Sequence, residues 1–259
     1  MCVVNKKVYL CGGKNNIVSK ECLAGMHEFD TETCKWIAVD TTGYCPRDVG
    51  FSASVVDKSI YTFGGMLGGI TTNSMRCFNT EQKCWSIIET KGCRPHPRCD
   101  HTSEAIRDVI YIFGGVGNVN EWLNDLHCFN TTTQTWSHPT IRGVPPSPRC
   151  SHTFVAHRDK DIYVLGGWRK KNKEDKIVRN LRKLSIGNQK WKTLLCAGER
   201  PPPPIYGHCS FICHSSMYIL GGMGSSGESS MNVVYILRLV NPSERSLVLA
   251  QALKDLSED

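Results

Sequence analysis

Apolar and β-branched residues fall in short runs along this chain, each closed by turn residues, and the same succession keeps returning. Across residues 41–90 the pattern marks four strands, at 51–56, 60–63, 73–78 and 84–88, with turns at 57–59 and 79–82. A Gly pair, Gly64-Gly65, follows the second strand directly. Backbone at unusual φ/ψ or in close contact costs least there, because glycine has no Cβ. That strand and its Gly pair occur five times: Val8-Tyr9-Leu10-Cys11-Gly12-Gly13, Ile60-Tyr61-Thr62-Phe63-Gly64-Gly65, Ile110-Tyr111-Ile112-Phe113-Gly114-Gly115, Ile162-Tyr163-Val164-Leu165-Gly166-Gly167 and Met217-Tyr218-Ile219-Leu220-Gly221-Gly222. The tyrosines lie 52, 50, 52 and 55 residues apart. Self-similarity at a period near 50 signals an array of one supersecondary unit.

Trp36, Trp85, Trp136 and Trp191 fall 24, 21, 22 and 25 residues after the first Gly of their pairs. Each is expected to cover the gap between neighbouring units, since one aromatic buries on the order of 150–250 Å². Tyr, then Gly-Gly, a downstream strand and Trp resembles the kelch repeat, over nearly the whole chain. The resemblance implies an all-β fold, a β-propeller of about five four-stranded blades. Their approximate spans are 1–40, 41–90, 91–141, 142–196 and 197–250, with a tail at 251–259. Two departures stand out. The first blade is N-terminally clipped, residues 1–4 aligning with 54–56. The last has Leu247, or a residue near it, where Trp is expected.

The length suits one propeller rather than two domains, and 40% apolar with 21% charged residues is an ordinary soluble composition. No apolar run approaches the roughly 18 residues of a transmembrane span, and the N-terminus lacks a signal-peptide layout. A cytoplasmic location is expected, and Arg169-Lys170-Lys171-Asn172-Lys173 could pass for a nuclear import run. Several of the fourteen cysteines hold repeat-equivalent positions: Cys77 with Cys128, Cys99 with Cys150, and Cys34 with Cys84. Such cysteines read as small buried hydrophobes, hence reduced structural thiols. No CxxC pair suggests zinc. The four residues of His208-Cys209 and Cys213-His214 lie on a strand whose alternation splits them between two faces. Neither metal nor cofactor is expected.

The net charge of +7 is uneven. Eight basic residues lie between Trp168 and Lys183, against Glu174 and Asp175; outside that stretch 23 basic residues face 22 acidic ones. This arm reads either as a solvated hairpin or as a contact arm for an acidic peptide, phosphate or nucleic acid, led by Arg169, Lys170, Lys171 and Lys173. Nucleic acid would call for basic patches on several blades with interleaved aromatics, and only Trp168 sits beside this one.

Two loop sets are expected on one face of the disc. One joins the second and third strands of each blade, at 14–28, 66–73, 116–124, 168–179 and 223–232. The other links blades and carries a second repeated phrase: Cys45-Pro46-Arg47-Asp48, Pro97-Arg98-Cys99-Asp100-His101, Pro148-Arg149-Cys150-Ser151-His152 and Pro204-Ile205-Tyr206-Gly207-His208. Arg47, Arg98 and Arg149 either tie each blade to the next or ring the central opening for carboxylate or phosphate recognition. Repetition at one register argues for the first use, while the resemblance implies that this face receives acidic peptide segments or free C-termini, as it does in kelch-repeat proteins. Tyr206 belongs to the same set. Trp122 and Trp168 stand outside the blade-packing register and are either binding hot spots or loop packing. His101, His152 and His208 read as paired structural histidines rather than a metal ring.

No nucleophile–base pair, phosphate loop or acid cluster aimed at a cavity is visible, so no enzyme is expected. The expected function is protein–protein interaction, with an acidic or C-terminal peptide segment as partner. The chain could serve as a scaffold or as the substrate receptor of a ubiquitin ligase. The tail at 246–255 reads either as the last blade's outer strand or, by its resemblance to a short elongin-binding motif, as an adaptor-binding helix, with Gln251 where that motif carries Cys or a small residue. The alternative is a polyanion- or actin-binding propeller acting through the 168–183 arm.

Overall fold

A computed structural model describes residues 1–13, 23, 25–171, 174–196, 201–224 and 233–239. Antiparallel sheets succeed one another along the chain, each a blade whose strands pair mainly in sequence order. Blade one is Cys2–Val4, Lys7–Cys11, Met26–Asp30 and Lys35–Val39; blade two is Ser52–Val56, Ser59–Phe63, Met75–Asn79 and Cys84–Ile87. Blade three is Thr102–Ile106, Val109–Gly117, Trp122–Asn130 and Thr135–Ser137. Blade four is Thr153–His157, Asp161–Leu165, Leu181–Ser185 and Lys190–Leu194, with an added hairpin of Trp168–Lys171 and Glu174–Ile177. Blade five has three described strands, Cys209–Cys213, Ser216–Leu220 and Val234–Arg238. The result is a five-bladed β-propeller arrangement. Leu247 and the tail lie outside the described residues.

The four strands expected in the second repeat are present, each within two residues of its sequence-based bounds. Cys2 pairs with Tyr9 as Ser54 pairs with Tyr61, so the clipped first strand keeps the repeat's register. Alternation along the strands gives every blade two faces, and the core lies between blades. Val4, Tyr9 and Met26 of blade one pack on Ile60, Phe78 and Trp85 of blade two. Phe63 and Met75 of blade two likewise meet Phe129 and Trp136 of blade three, and Phe113 and Leu126 of blade three meet Leu184 and Trp191 of blade four. Each of these tryptophans therefore closes on the blade before it.

Trp36 departs from that expectation. It is 51% exposed where Trp85 is 3% exposed. Its only described ring contact is Phe29 of its own blade, with centroids 5.1 Å apart. Val3 and Leu10 are exposed with it on blade one, as are Phe211, Val234 and Ile236 on blade five. The seam between blades five and one thus leaves apolar side chains open to solvent, while the four other junctions bury theirs.

The linkers entering blades two, three and four first run parallel to the outer strand of the blade they enter: Thr42 pairs with Cys84, Lys91 and Gly92 with Thr135 and Trp136, and Arg142 with Lys190. Gly92 is at φ +78°, and a Cβ there would lie 2.4 Å from the Trp136 carbonyl oxygen, so no other residue fits. Among the described residues no helix is long and apolar enough to cross a membrane.

Candidate functional site

Further along, the linker turns inward and pairs with the residue that follows the Gly pair of the blade it enters. The bridges are Val49 with Met66, Cys99 with Val116, Cys150 with Trp168 and Tyr206 with Met223. They fix the true register: Asp48, Arg98, Arg149 and Ile205 are equivalent. Arg47 is therefore one residue out of step with the arginines it was grouped with. It is exposed and lines a cleft of about 470 Å³ with Tyr44 and Cys45.

Arg98 and Arg149 are each 0% exposed, so neither stands open around the central channel. The tie between blades, the structural use considered for them, is the one their contacts make. The Arg98 backbone N–H donates to the Thr72 oxygen and its carbonyl accepts from Gly65 N–H, both in blade two. Its side chain instead enters blade three. Nη1 and Nη2 grip Asp125 bidentately at 2.7 and 2.8 Å, Nη1 also reaches the Gly114 oxygen, and Nε donates to the His96 oxygen. Burial alone would raise the Asp125 carboxyl, but Arg98 and His127 hold it well below the carboxylate range. Arg149 repeats the backbone clamp on Leu123 and Gly115. Its guanidinium donates to the Gly166 and Ser147 oxygens and to Asn180 Oδ1 at 3.0 Å.

The electrostatics differ from blade to blade. Blade two reverses the pair, Asp48 taking the linker position and meeting buried Arg76 at 2.9 Å. Blade three balances Arg98 with Asp125. Blade four provides Asn180 where blade three has Asp125, and Arg182 where it has His127. No carboxylate pairs with Arg149, Arg169 or Arg182 among the described residues. Nε of Arg169 and Nε of Arg182 are buried without a hydrogen-bond partner. Burial, with Arg182 and Arg169 beside it, pushes the Arg149 guanidinium down to about 9. Blade four therefore carries positive charge that blades two and three neutralise.

The aromatic residues singled out on the loops come together at this place. Trp122 of blade three meets Trp168 of blade four edge to face, centroids 4.9 Å apart, and Trp168 lies 6.3 Å from Tyr206 of the next linker. All three are half-buried and form one row across blades three to five, with Arg169 next in sequence to its middle member. In the basic arm, Lys170 and Lys171 lie opposite Asp175 and Glu174 in the hairpin register, and Lys183 is bound to Asp161 at 2.8 Å. Lys173 lies outside the described residues.

The histidines tie blades together. Nε2 of His101, His152 and His208 meets the hydroxyl of Ser52, Thr102 and Thr153 in the preceding blade at 2.8, 2.6 and 2.9 Å. Burial lowers His101 to about 3 and His208 to about 4, and holds His152 well below the ordinary imidazole value. Two functional features escaped the sequence reading. Asp48 was hidden by the adjacent Pro-Arg, and the missing acid of blade four emerges only when Asn180 is aligned with Asp125.

Residues 1–222 match the family profile described as "KLHDC2/KLHL20/DRC7 Kelch-repeats domain". The chain belongs to the kelch-repeat family. Among its relatives is the Rab9 effector protein with kelch motifs of Rattus norvegicus, 36% identical over 166 residues, which are 62% of this chain and 44% of that protein. Kelch domain-containing protein 3 of Rattus norvegicus is 27% identical over 241 residues, covering 88% of this chain and 61% of that protein. Acyl-CoA-binding domain-containing protein 4 of Arabidopsis thaliana is 26% identical over 245 residues, 90% of this chain and 35% of that protein. The kelch blades here thus span less than two thirds of the length of each of these relatives.

Proposed function

We propose that this kelch propeller is a non-enzymatic protein-interaction module that holds an acidic or C-terminal peptide segment on the loop face of blades three to five. The supporting observation is the unneutralised Arg149–Arg169–Arg182 group beside the Trp122–Trp168–Tyr206 row. Aromatic rings supply apolar contact area at small conformational cost, and guanidinium groups select carboxylates. In this reading Arg169 is the contact residue, buried Arg149 and Arg182 contribute field, and Arg98, neutralised by Asp125, contributes none. The polyanion alternative has less support, because Lys183 has its own acid and Lys170 stands opposite Asp175 in the hairpin register.

The test is selection from a random peptide library with free C-termini, using wild type and a Trp168→Ala/Arg169→Glu variant. The wild type is expected to enrich acidic or C-terminally anchored sequences, with the variant binding them at least about tenfold more weakly, equivalent to about 1.4 kcal/mol. Enrichment of the same sequences by both proteins would overturn the assignment to this face.

A further inference from the structure

Cys11 ends the second strand of blade one, immediately before its Gly pair, and Cys45 lies in the linker entering blade two. Their sulfur atoms are 3.9 Å apart across 34 residues of sequence. Both side chains are partly buried against the core shared by these blades. A disulfide has sulfurs about 2.05 Å apart, so closure needs an approach of roughly 2 Å.

Their surroundings are unequal. Cys45 accepts from the Cys11 thiol and from the Gly25 backbone N–H and faces Arg47 and Arg76, which together push its ionisation down. Cys11, donating to Cys45 and partly buried, is pushed up. Burial raises Cys2, Cys77, Cys99, Cys128 and Cys150 instead, as suits inert core thiols. Access is also provided, since Cys45 lines the cleft of about 470 Å³ with Gly25, Tyr44 and Arg47.

We propose that Cys11 and Cys45 form a reversible dithiol–disulfide site, oxidised by a peroxide, that locks blade one to the linker entering blade two. The Cys45 thiolate attacks one oxygen of hydrogen peroxide. The O–O bond breaks, the sulfur becomes a sulfenic acid, and the departing hydroxide takes up a proton to leave as water. The Cys11 sulfur then attacks the Cys45 sulfur and loses its proton; the S–O bond breaks and a second water leaves. Two thiols and one peroxide thus give one disulfide and two waters, and a small dithiol reverses the reaction by exchange. The site is independent of the peptide face proposed above, and either can fail alone.

The experiment treats the reduced full chain with one equivalent of hydrogen peroxide, alkylates the remaining thiols and maps the peptides by mass spectrometry. The expected product is a Cys11–Cys45 cross-linked peptide that dithiothreitol releases, with a melting temperature raised by on the order of 5 °C. The Cys11→Ser variant is expected to give no cross-link and a dimedone adduct on Cys45. Cys45→Ser is expected to give neither. In untreated wild type, iodoacetamide should label Cys45 faster than the exposed Cys34, Cys93 and Cys213, a comparison that does not require the variants to fold. Oxidation confined to those exposed cysteines, or Cys45 labelled no faster than they are, would overturn the proposal.

Discussion

Asp48 and Arg98 hold one position in successive blades with opposite charge, and each finds its counter-ion on the third strand or at its entry. Removing one partner of such a buried pair strands the other. Arg98→Met is therefore expected to destabilise the protein by about 3–5 kcal/mol in chemical denaturation. Lys at 98 should restore only part of the loss, because it cannot make the bidentate grip on Asp125. A change within 1 kcal/mol for Arg98→Met would contradict the structural role. The tryptophans separate in the same way. Trp85→Ala is expected to cost about 3–5 kcal/mol, and Trp36→Ala less than about 1, because only Trp85 is covered by a neighbouring blade. Equal losses, read from urea midpoints at unchanged slope, would mean that Trp36 is buried in solution.

At the scale of the element, the linker carries most of what the repeat encodes. The Gly pair leaves room for it: a Cβ on Gly64 would lie 2.6 Å from the Arg98 oxygen and 2.8 Å from His101 Cε1. Strands, Gly pairs and inter-blade tryptophans were legible in the sequence because period and alternation are local properties. The linker register was not, since Pro46-Arg47 imitates Pro97-Arg98 and only the pairing of Val49 with Met66 shows the offset. The fate of the arginines was also hidden, because Asp125 lies 27 residues from Arg98. The linker histidines carry a pH dependence. Their folded-state ionisation lies below the unfolded value near 6.5, so below that pH the unfolded chain binds protons that the folded chain refuses. Stability is expected to fall as pH drops from about 6.5 toward 4, by up to about 1.4 kcal/mol per pH unit for each histidine. Half-buried Glu104, raised to about 7, opposes the trend in part of this window, one group against three. Denaturation midpoints between pH 7 and 4 check the sign. Replacing His152 by Gln should flatten the slope, and an unchanged slope would exclude His152 as a contributor.

Over the whole molecule the blades are unequal. Blades two, three and four are covered by neighbours on both faces, whereas blades one and five each have a face with exposed apolar residues. In a repeat array, stability is close to a sum of unit and nearest-neighbour terms, so end units open first. Hydrogen exchange is expected to protect the inner strands of blades two to four most strongly and the described strands of blades one and five least. Uniform protection would mean that the seam is packed in solution. The proposed interaction face spans blades three to five and so joins well-covered units to an end one. Its most direct test is an NMR titration of the tryptophan indole N–H signals with an acidic peptide bearing a free C-terminus, taken from the library selection. The expected result is that Trp122 and Trp168 shift together while Trp85, Trp136 and Trp191 stay in place. Shifts at Trp36 alone, or none at Trp122 and Trp168 while the peptide binds, would place recognition elsewhere on the molecule.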